Sequence, residues 1–264
     1  MTQHSIAVIG SGNLGSAIIK GLIYSGKYDN KRITVSDKNI EALKSIKKLG
    51  VNTTTNNSDA ANKGDIIILA VKPYLVKEVI NEFIEEIKPK SIIISLAAGV
   101  SIKELQCATG TKLTLFRAIP NTAAEVCQSF TSICGVNYSE KELSIISEVF
   151  SDIGETEVIP EELMGAATVL ASCGTAYAMR FISAASRGGT QMGLQPELAQ
   201  KMVAQTLRGA AKILNNNSSS HPEQEIDKVT TPGGITITGL NEMEHHNFSS
   251  SIIKGLIAAH NKVK

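Results

Sequence analysis

Residues 6–19 read IAVIGSGNLGSAII, and no other stretch of the chain narrows its possible folds so far. Four apolar residues, Ile6–Ile9, are short enough for a strand. They run straight into Gly10-Ser11-Gly12-Asn13-Leu14-Gly15, and helical spacing of apolar residues follows over residues 14–25. A GxGxxG is weak alone, because glycine is common in loops. Between a strand and a helix it carries a mechanism. Gly10 permits the tight turn, Gly12 lets the backbone approach a pyrophosphate, and Gly15 lets helix and strand pack closely. The helix start at Asn13 and Leu14 offers N–H groups and a partial positive charge to the anion.

The same alternation continues. Ile33–Ser36 reads as a second strand, and residues 40–49 as a helix ending at Gly50. Residues 66–71 are continuously apolar and β-branched, the pattern of a strand buried on both faces. A helix over 74–87 and a buried strand at Ile92–Ser95 follow, with further strands expected at 114–118 and 132–136. Strands and helices in this order imply an α/β, Rossmann-like domain with a mostly parallel sheet, expected over residues 1–159. The character changes near Pro160. Residues 163–186 are long, apolar and crowded with Ala, Gly and Ser, and helices are expected over 196–214, 236–243 and 248–260. Residues 160–264 therefore read as an all-α domain. Its first helix is apolar most of the way round and needs cover from several sides. A partner subunit is the simplest source, so this is expected to be a dimerisation domain.

Bulk composition removes several function classes. The chain has 264 residues, 42% of them hydrophobic, and a net charge of +1, so charge makes no case for nucleic acid. No apolar run is long enough to cross a bilayer. The start, MTQHSIAVIG, lacks a basic region and reads as a first strand, not a signal peptide. Cys107, Cys127, Cys134 and Cys173 form no CxxC pair. Their spacing suits neither zinc nor a disulfide framework, so we expect small buried apolar residues, no metal and a cytoplasmic location.

Which dinucleotide the cleft takes is left open by the residues at the second strand end. Asp37 suits the ribose hydroxyls of NADH, while Ser36 and Lys38 suit the 2′-phosphate of NADPH. Ligands of open α/β sheets sit at the C-terminal strand ends. Ala70, Val71, Lys72 and Pro73 end one strand there, and Ala97, Ala98 and Gly99 follow another. Their small side chains let a nicotinamide ring come close. Lys72 either reaches a phosphate or ribose or caps the turn.

A nicotinamide needs a hydride acceptor, and alcohols or ketones need a tuned acid or base. None of His4, His221, His245, His246 and His260 stands in a convincing setting, and His221-Pro222 suits a helix start. Reduction of an imine asks for less, because an iminium nitrogen already carries its proton. Residues 230–240, TTPGGITITGL, fit that demand. Gly233 and Gly234 can present N–H groups in a concave turn ahead of a helix, a setting for a carboxylate. Thr231 and Thr236 add hydroxyls. The same residues equally suit a Gly-rich turn capped by threonine.

At this point the chain resembles the pyrroline-5-carboxylate reductase family over nearly its whole length. The most specific segment is HPEQEIDKVTTPGGITITGLNEME at 221–244. IGSGNLGSAI, AVKP, SLAAGVSI, RAIPNTAA at 117–124 and VAQTLRGAAKIL at 203–214 support it. The resemblance implies reduction of 1-pyrroline-5-carboxylate to L-proline with NADPH or NADH. It also implies a homodimer, or a ring of dimers, with the active site at the dimer interface. Carried over by motif, Thr236 is the catalytic residue facing the ring nitrogen. Val229, Thr231, Gly233 and Gly234 bind the carboxylate, and Asn121 and Thr122 line the nicotinamide side. Relatives carry Pro where this chain has Ala123 and Thr175, and an acid where it has Arg187 and Ser219. Two alternatives compete: a related Rossmann reductase of 3-hydroxy acids, which would need a tuned lysine in the second domain, and a non-catalytic NAD(P)-binding protein.

Overall fold

The structure, a computed structural model, describes residues 4–110, 112–216 and 220–263. Ser219 lies outside these. The first part of the chain forms β1 (Ile6–Ile9), α1 (Asn13–Tyr24), β2 (Ile33–Ser36), α2 (Ile40–Lys47), β3 (Asn52–Thr54) and α3 (Asn57–Lys63). It continues with β4 (Ile66–Leu69), α4 (Val76–Phe83), β5 (Ile92–Ser95), α5 (Ile102–Thr109), β6 (Leu115–Ile119), β7 (Ser129–Val136), α6 (Glu140–Ser151) and β8 (Gly154–Val158). Among the described residues these strands make one sheet in the order β3-β2-β1-β4-β5-β6-β7-β8. The pairs from β3 to β6 are parallel, in register from Ile6 opposite Ile33 and Ile66 to Ser95 opposite Arg117. β7 turns back antiparallel to β6 across a short 3₁₀ segment, Thr122–Val126, because the link is too short for a crossover helix. β8 runs parallel to β7.

The apolar runs follow from helices on both faces. Side chains alternate across a sheet, so Ile6, Val8, Ile66, Ile68, Ile92 and Ile94 enter one core. Ala7, Ile9, Ile67, Leu69 and Ile93 enter the other. With both faces covered, the strands lose the polar alternation of a one-sided sheet; the buried polar residues of β1–β6, Thr34, Ser36, Ser95 and Arg117, interrupt otherwise apolar runs.

Several elements lay outside the sequence expectation. β3 and β8 carry little apolar signal, with NTT and GETEV at half-exposed or exposed positions. Helices α3, α5 and α6 also appear. Asn56 caps α3 by accepting from the Ser58 and Asp59 N–H groups. Ser101 with Glu104 and Ser139 with Glu142 form reciprocal capping boxes on α5 and α6. The SIKE and SEKE spacings that announce such boxes are present in the sequence. Three of the four cysteines depart from the expectation of burial: Cys127 and Cys173 are half-buried, and Cys107 is exposed, two residues past buried Leu105 and therefore on the outer side of α5. Cys134 is buried, and that burial chiefly pushes its thiol up to about 11.

The remaining elements are α7 (Met164–Ala167), α8 (Gly174–Gln191), α9 (Pro196–Asn216), α10 (Pro222–Lys228), α11 (Ile235–His245) and α12 (Phe248–Val263). The single helix expected over 163–186 is broken by a wide π-type turn at Thr168–Ser172. Two polar groups accompany it: Thr168 Oγ1 donates to Met164 O at 2.7 Å, and Asn121 Nδ2 donates to Ala171 O at 3.1 Å. The chain packs as two compact units that part after Thr175, beyond the change of character at Pro160. The intervening segment is held to the strand unit. Glu161 accepts from Arg117 Nη1 and from the Ile102 N–H, each at 2.7 Å, and Met164 packs with Ile102, Ile119 and Cys134.

The second unit is built otherwise. Along α8–α12 only Gly189 and Ala199 are buried among the described residues. A Cβ on Gly189 would lie 3.0 Å from the Ala199 Cβ, so α8 and α9 meet there at close range. Tyr177, Met179, Met202, Ile252, Ile253 and Ile257 are exposed. The helix expected to be covered on several sides is not covered within one chain.

Candidate functional site

A cleft of about 580 Å³ opens at the C-terminal strand ends, where the strand order reverses between β1 and β4. That switch point is where open α/β sheets bind ligands. Two glycines of the first loop are required by the fold. Gly10 has φ +101°, and a Cβ there would lie 2.6 Å from Ala70 O. A Cβ on Gly15 would lie 2.1 Å from Gly10 O and 3.2 Å from the Ala70 Cβ. Gly12 differs. Its φ of −61° suits any residue, and a Cβ there would meet no protein atom within 4 Å. Its small size serves whatever approaches from the cleft. No side chain caps α1, so its first N–H groups face the same space, which fits a pyrophosphate.

At the end of β2 every group has a partner. Asp37 Oδ2 accepts from the Ser11 N–H at 2.7 Å and the Ser11 hydroxyl at 2.8 Å, and Oδ1 accepts from the Asn39 N–H at 2.8 Å. Burial pushes the Asp37 carboxyl up, but these hydrogen bonds outweigh it and hold it below the usual range. Ser36 is buried and donates to Asn57 Oδ1 at 2.7 Å. Lys38 is paired to Glu82 at 2.9 Å and to Glu78 at 3.7 Å.

The other wall contains Ala70, Val71, Lys72 and Pro73 after β4, Leu96, Ala97 and Ala98 after β5, and Asn121 and Thr122 after β6. Lys72 makes no cap to the turn that follows it. Asn121 is buried and its amide is engaged on both sides, Oδ1 accepting from the Ala123 N–H at 2.9 Å while Nδ2 holds Ala171 O. It thus shapes the wall beside Ser172. Gly15 and Gly99 do not line the cleft: Gly15 packs beneath it, and Gly99, at φ +79°, forms the turn beyond Ala98. Ser172, Asn57 and Glu78 line it without having been singled out from the sequence. Ser172 arrives through the wide turn, and Asn57 and Glu78 lie in helices with no motif of their own.

Val229, Thr231, Gly233, Gly234 and Thr236 all fall in the second unit, around the start of α11. His221 caps α10 with Pro222 in its first turn, as its sequence setting suggested. Gly233 has φ +68° and the Gly234 N–H donates to Thr231 O at 2.9 Å, a tight turn that demands glycine at its third position. A Cβ on Gly234 would lie 2.4 Å from Thr231 Oγ1. No side chain caps α11, and Ile235 is 94% exposed. The four threonines divide in two. Thr230 donates to Ile226 O at 2.7 Å and Thr238 to Gly234 O at 3.1 Å. The hydroxyls of Thr231 and Thr236 make no hydrogen bond among the described residues. Thr231 and Thr236 are exposed, and their hydroxyls stand available beside the uncapped N–H groups of α11.

Residues 161–264 match the family model for pyrroline-5-carboxylate reductase dimerisation, and residues 5–99 match that for NADP oxidoreductase, coenzyme F420-dependent. Pyrroline-5-carboxylate reductase 2 of Dictyostelium discoideum is 38% identical over 98% of this chain and 92% of its own. For pyrroline-5-carboxylate reductase 1 of that organism the identity is 37% over 98% of this chain, which spans 49% of that relative's length. The crystal structure of a Plasmodium falciparum pyrroline carboxylate reductase with NADP bound superposes with a TM-score of 0.90 at 26% identity, covering 100% and 98% of the two chains. That of a pyrroline-5-carboxylate reductase from Coxiella burnetii gives 0.88 at 30% identity, covering 99% and 98%.

Proposed function

The chain belongs to the pyrroline-5-carboxylate reductase family, and from that premise we propose that it reduces the cyclic imine 1-pyrroline-5-carboxylate to L-proline with NADPH or NADH. A reduced nicotinamide supplies the hydride when bound. The chain's own residues do the rest. The uncapped start of α1, with Gly12 open to solvent, takes the pyrophosphate. Asp37 stays ionised at neutral pH and organises the loop through Ser11. Ala97 and Ala98 keep the wall low enough for a flat ring.

The substrate is assigned to the residues around the start of α11. The Gly234 turn and the helix N-terminus suit a carboxylate, with Thr231 and Val229 beside it. The Thr236 hydroxyl hydrogen-bonds the ring nitrogen as it gains electron density from hydride attack on the adjacent carbon. No separate strong acid is needed if the imine binds protonated. The observation that carries this reading is the withholding of the Thr231 and Thr236 hydroxyls from the backbone. A reductase acting on 3-hydroxy acids would have no use for such a pair without a tuned lysine nearby.

We infer that two copies cover each other's exposed apolar helices, with a ring of such dimers as a further level, and that residues 160–264 are the dimerisation domain. The free cysteines are typical of a reducing compartment and support a cytoplasmic location. No described helix is long and apolar enough to cross a membrane.

The test is oxidation of NADPH and of NADH, followed by absorbance, with the cyclic imine as acceptor. Turnover with either supports the assignment. Dinucleotide binding without turnover would make the chain a non-catalytic NAD(P)-binding protein.

A further inference from the structure

The cofactor question left open by Ser36, Asp37 and Lys38 has an answer in the packing around them. The cation that could greet a 2′-phosphate is held by a relay of buried and half-buried groups. Ser36 Oγ donates to Asn57 Oδ1 at 2.7 Å, and Asn57 Nδ2 donates to Glu82 Oε2 at 2.7 Å. The other oxygen of Glu82 takes Lys38 Nζ at 2.9 Å, with Glu78 3.7 Å away. The relay begins on β2 and returns to the residue two places further on. It engages both polar side chains, Ser36 and Lys38, that would otherwise favour the phosphate.

From this arrangement we infer that the cleft selects NADH over NADPH, with Asp37 and Glu78 as the specificity-determining residues and Glu82 as the residue that positions Lys38. The inference rests on the dinucleotide reading of the cleft given above. Exposed ion pairs are individually weak, so withdrawal of Lys38 would not suffice alone. The decisive term is the sign of the whole corner. At the end of β2 three carboxylates, Asp37, Glu78 and Glu82, stand against the one ammonium of Lys38; Asp37, Lys38 and Glu78 line the cleft at this corner, while Lys72 lines it after β4. A 2′-phosphate would bring roughly −1.5 to −2 further charges to that corner. The ribose of NADH brings two hydroxyls instead, and hydroxyls donate to carboxylates.

Calorimetric titration of the full-length wild-type protein with NADH and with NADPH tests this without reliance on turnover. The expected result is NADPH bound at least about tenfold more weakly, roughly 1.4 kcal/mol, with the ratio narrowing as salt rises because its origin is charge. The double substitution Glu78→Gln with Glu82→Gln should bring the ratio towards one by strengthening NADPH. Lys38→Ala should leave the ratio within about threefold. Equal or tighter binding of NADPH by the wild type overturns the inference. So does a Lys38→Ala variant that loses tenfold in NADPH affinity while keeping its NADH affinity. Binding of neither dinucleotide would remove the cofactor reading of the cleft and this inference with it, an outcome distinct from the wrong preference.

Discussion

In β4, Ile66, Ile67, Ile68 and Leu69 are all shut away from solvent, whereas in α12 Ile252, Ile253 and Ile257 are 48%, 56% and 56% exposed. The residue types are nearly the same. The strand has helices on both sides of its sheet, and the helix has no equivalent cover within one chain. The isoleucines of β4 therefore serve the chain's own fold, and those of α12 are available to another copy. A buried apolar residue reports on stability, but an exposed row of them reports on assembly.

The largest expected effect breaks this comparison directly. Ile67→Asp would bury an unpaired carboxylate and should cost more than about 4 kcal/mol, enough to unfold the first unit. Ile253→Asp should change the stability of the single chain by only about 0.5 kcal/mol. It should instead shift the sedimenting mass towards monomer while dinucleotide binding persists. Equal damage from both would show that the second unit has a core of its own.

Gly15→Ala comes next. Its Cβ would press on Gly10 O. Calorimetry should show loss of dinucleotide binding, and unfolding should show a cost of about 1–3 kcal/mol. An unchanged affinity would mean that the loop does not hold the pyrophosphate.

Within the second unit, Thr236→Ala and Thr238→Ala sharpen the contrast between a withheld and a committed hydroxyl. The first should lower kcat/KM about 10- to 100-fold with dinucleotide affinity retained, and the second less than about threefold. Equal losses would return the loop to a purely structural role.

The smallest effect concerns pH. Burial raises the Asp65 carboxyl, but hydrogen bonds from Lys88 and Ser5 outweigh it and lower it from 3.8 to about 2. A depressed carboxyl contributes stability that is present above its unfolded value and is lost as pH falls through the folded one. Thermal unfolding of the wild type should therefore weaken between about pH 4 and about pH 2, and Asp65→Asn should flatten that limb. Asp65 is 39% exposed, so the difference should stay below about 1 kcal/mol.

The sequence by itself determined the strand–Gly-loop–helix start, the doubly buried strands, the change to helices beyond Pro160 and the Gly-rich turn that opens α11. Each is written in neighbouring residues, by periodicity, by a glycine that a turn requires, or by a motif. Edge strand β8 was not legible, because its exposed residues carry no apolar alternation. Nor was the wide turn at Thr168–Ser172, which Asn121 helps to hold from far along the chain. The Thr230 and Thr236 hydroxyls part locally, because that of Thr230 reaches Ile226 O one turn back. Only the tertiary structure decided which charges remain available. Lys38 and Lys72 look alike in sequence, and what separates them is whether a carboxylate from another element stands within hydrogen-bond distance, as Glu82 of α4 does for Lys38; that is settled when the elements pack.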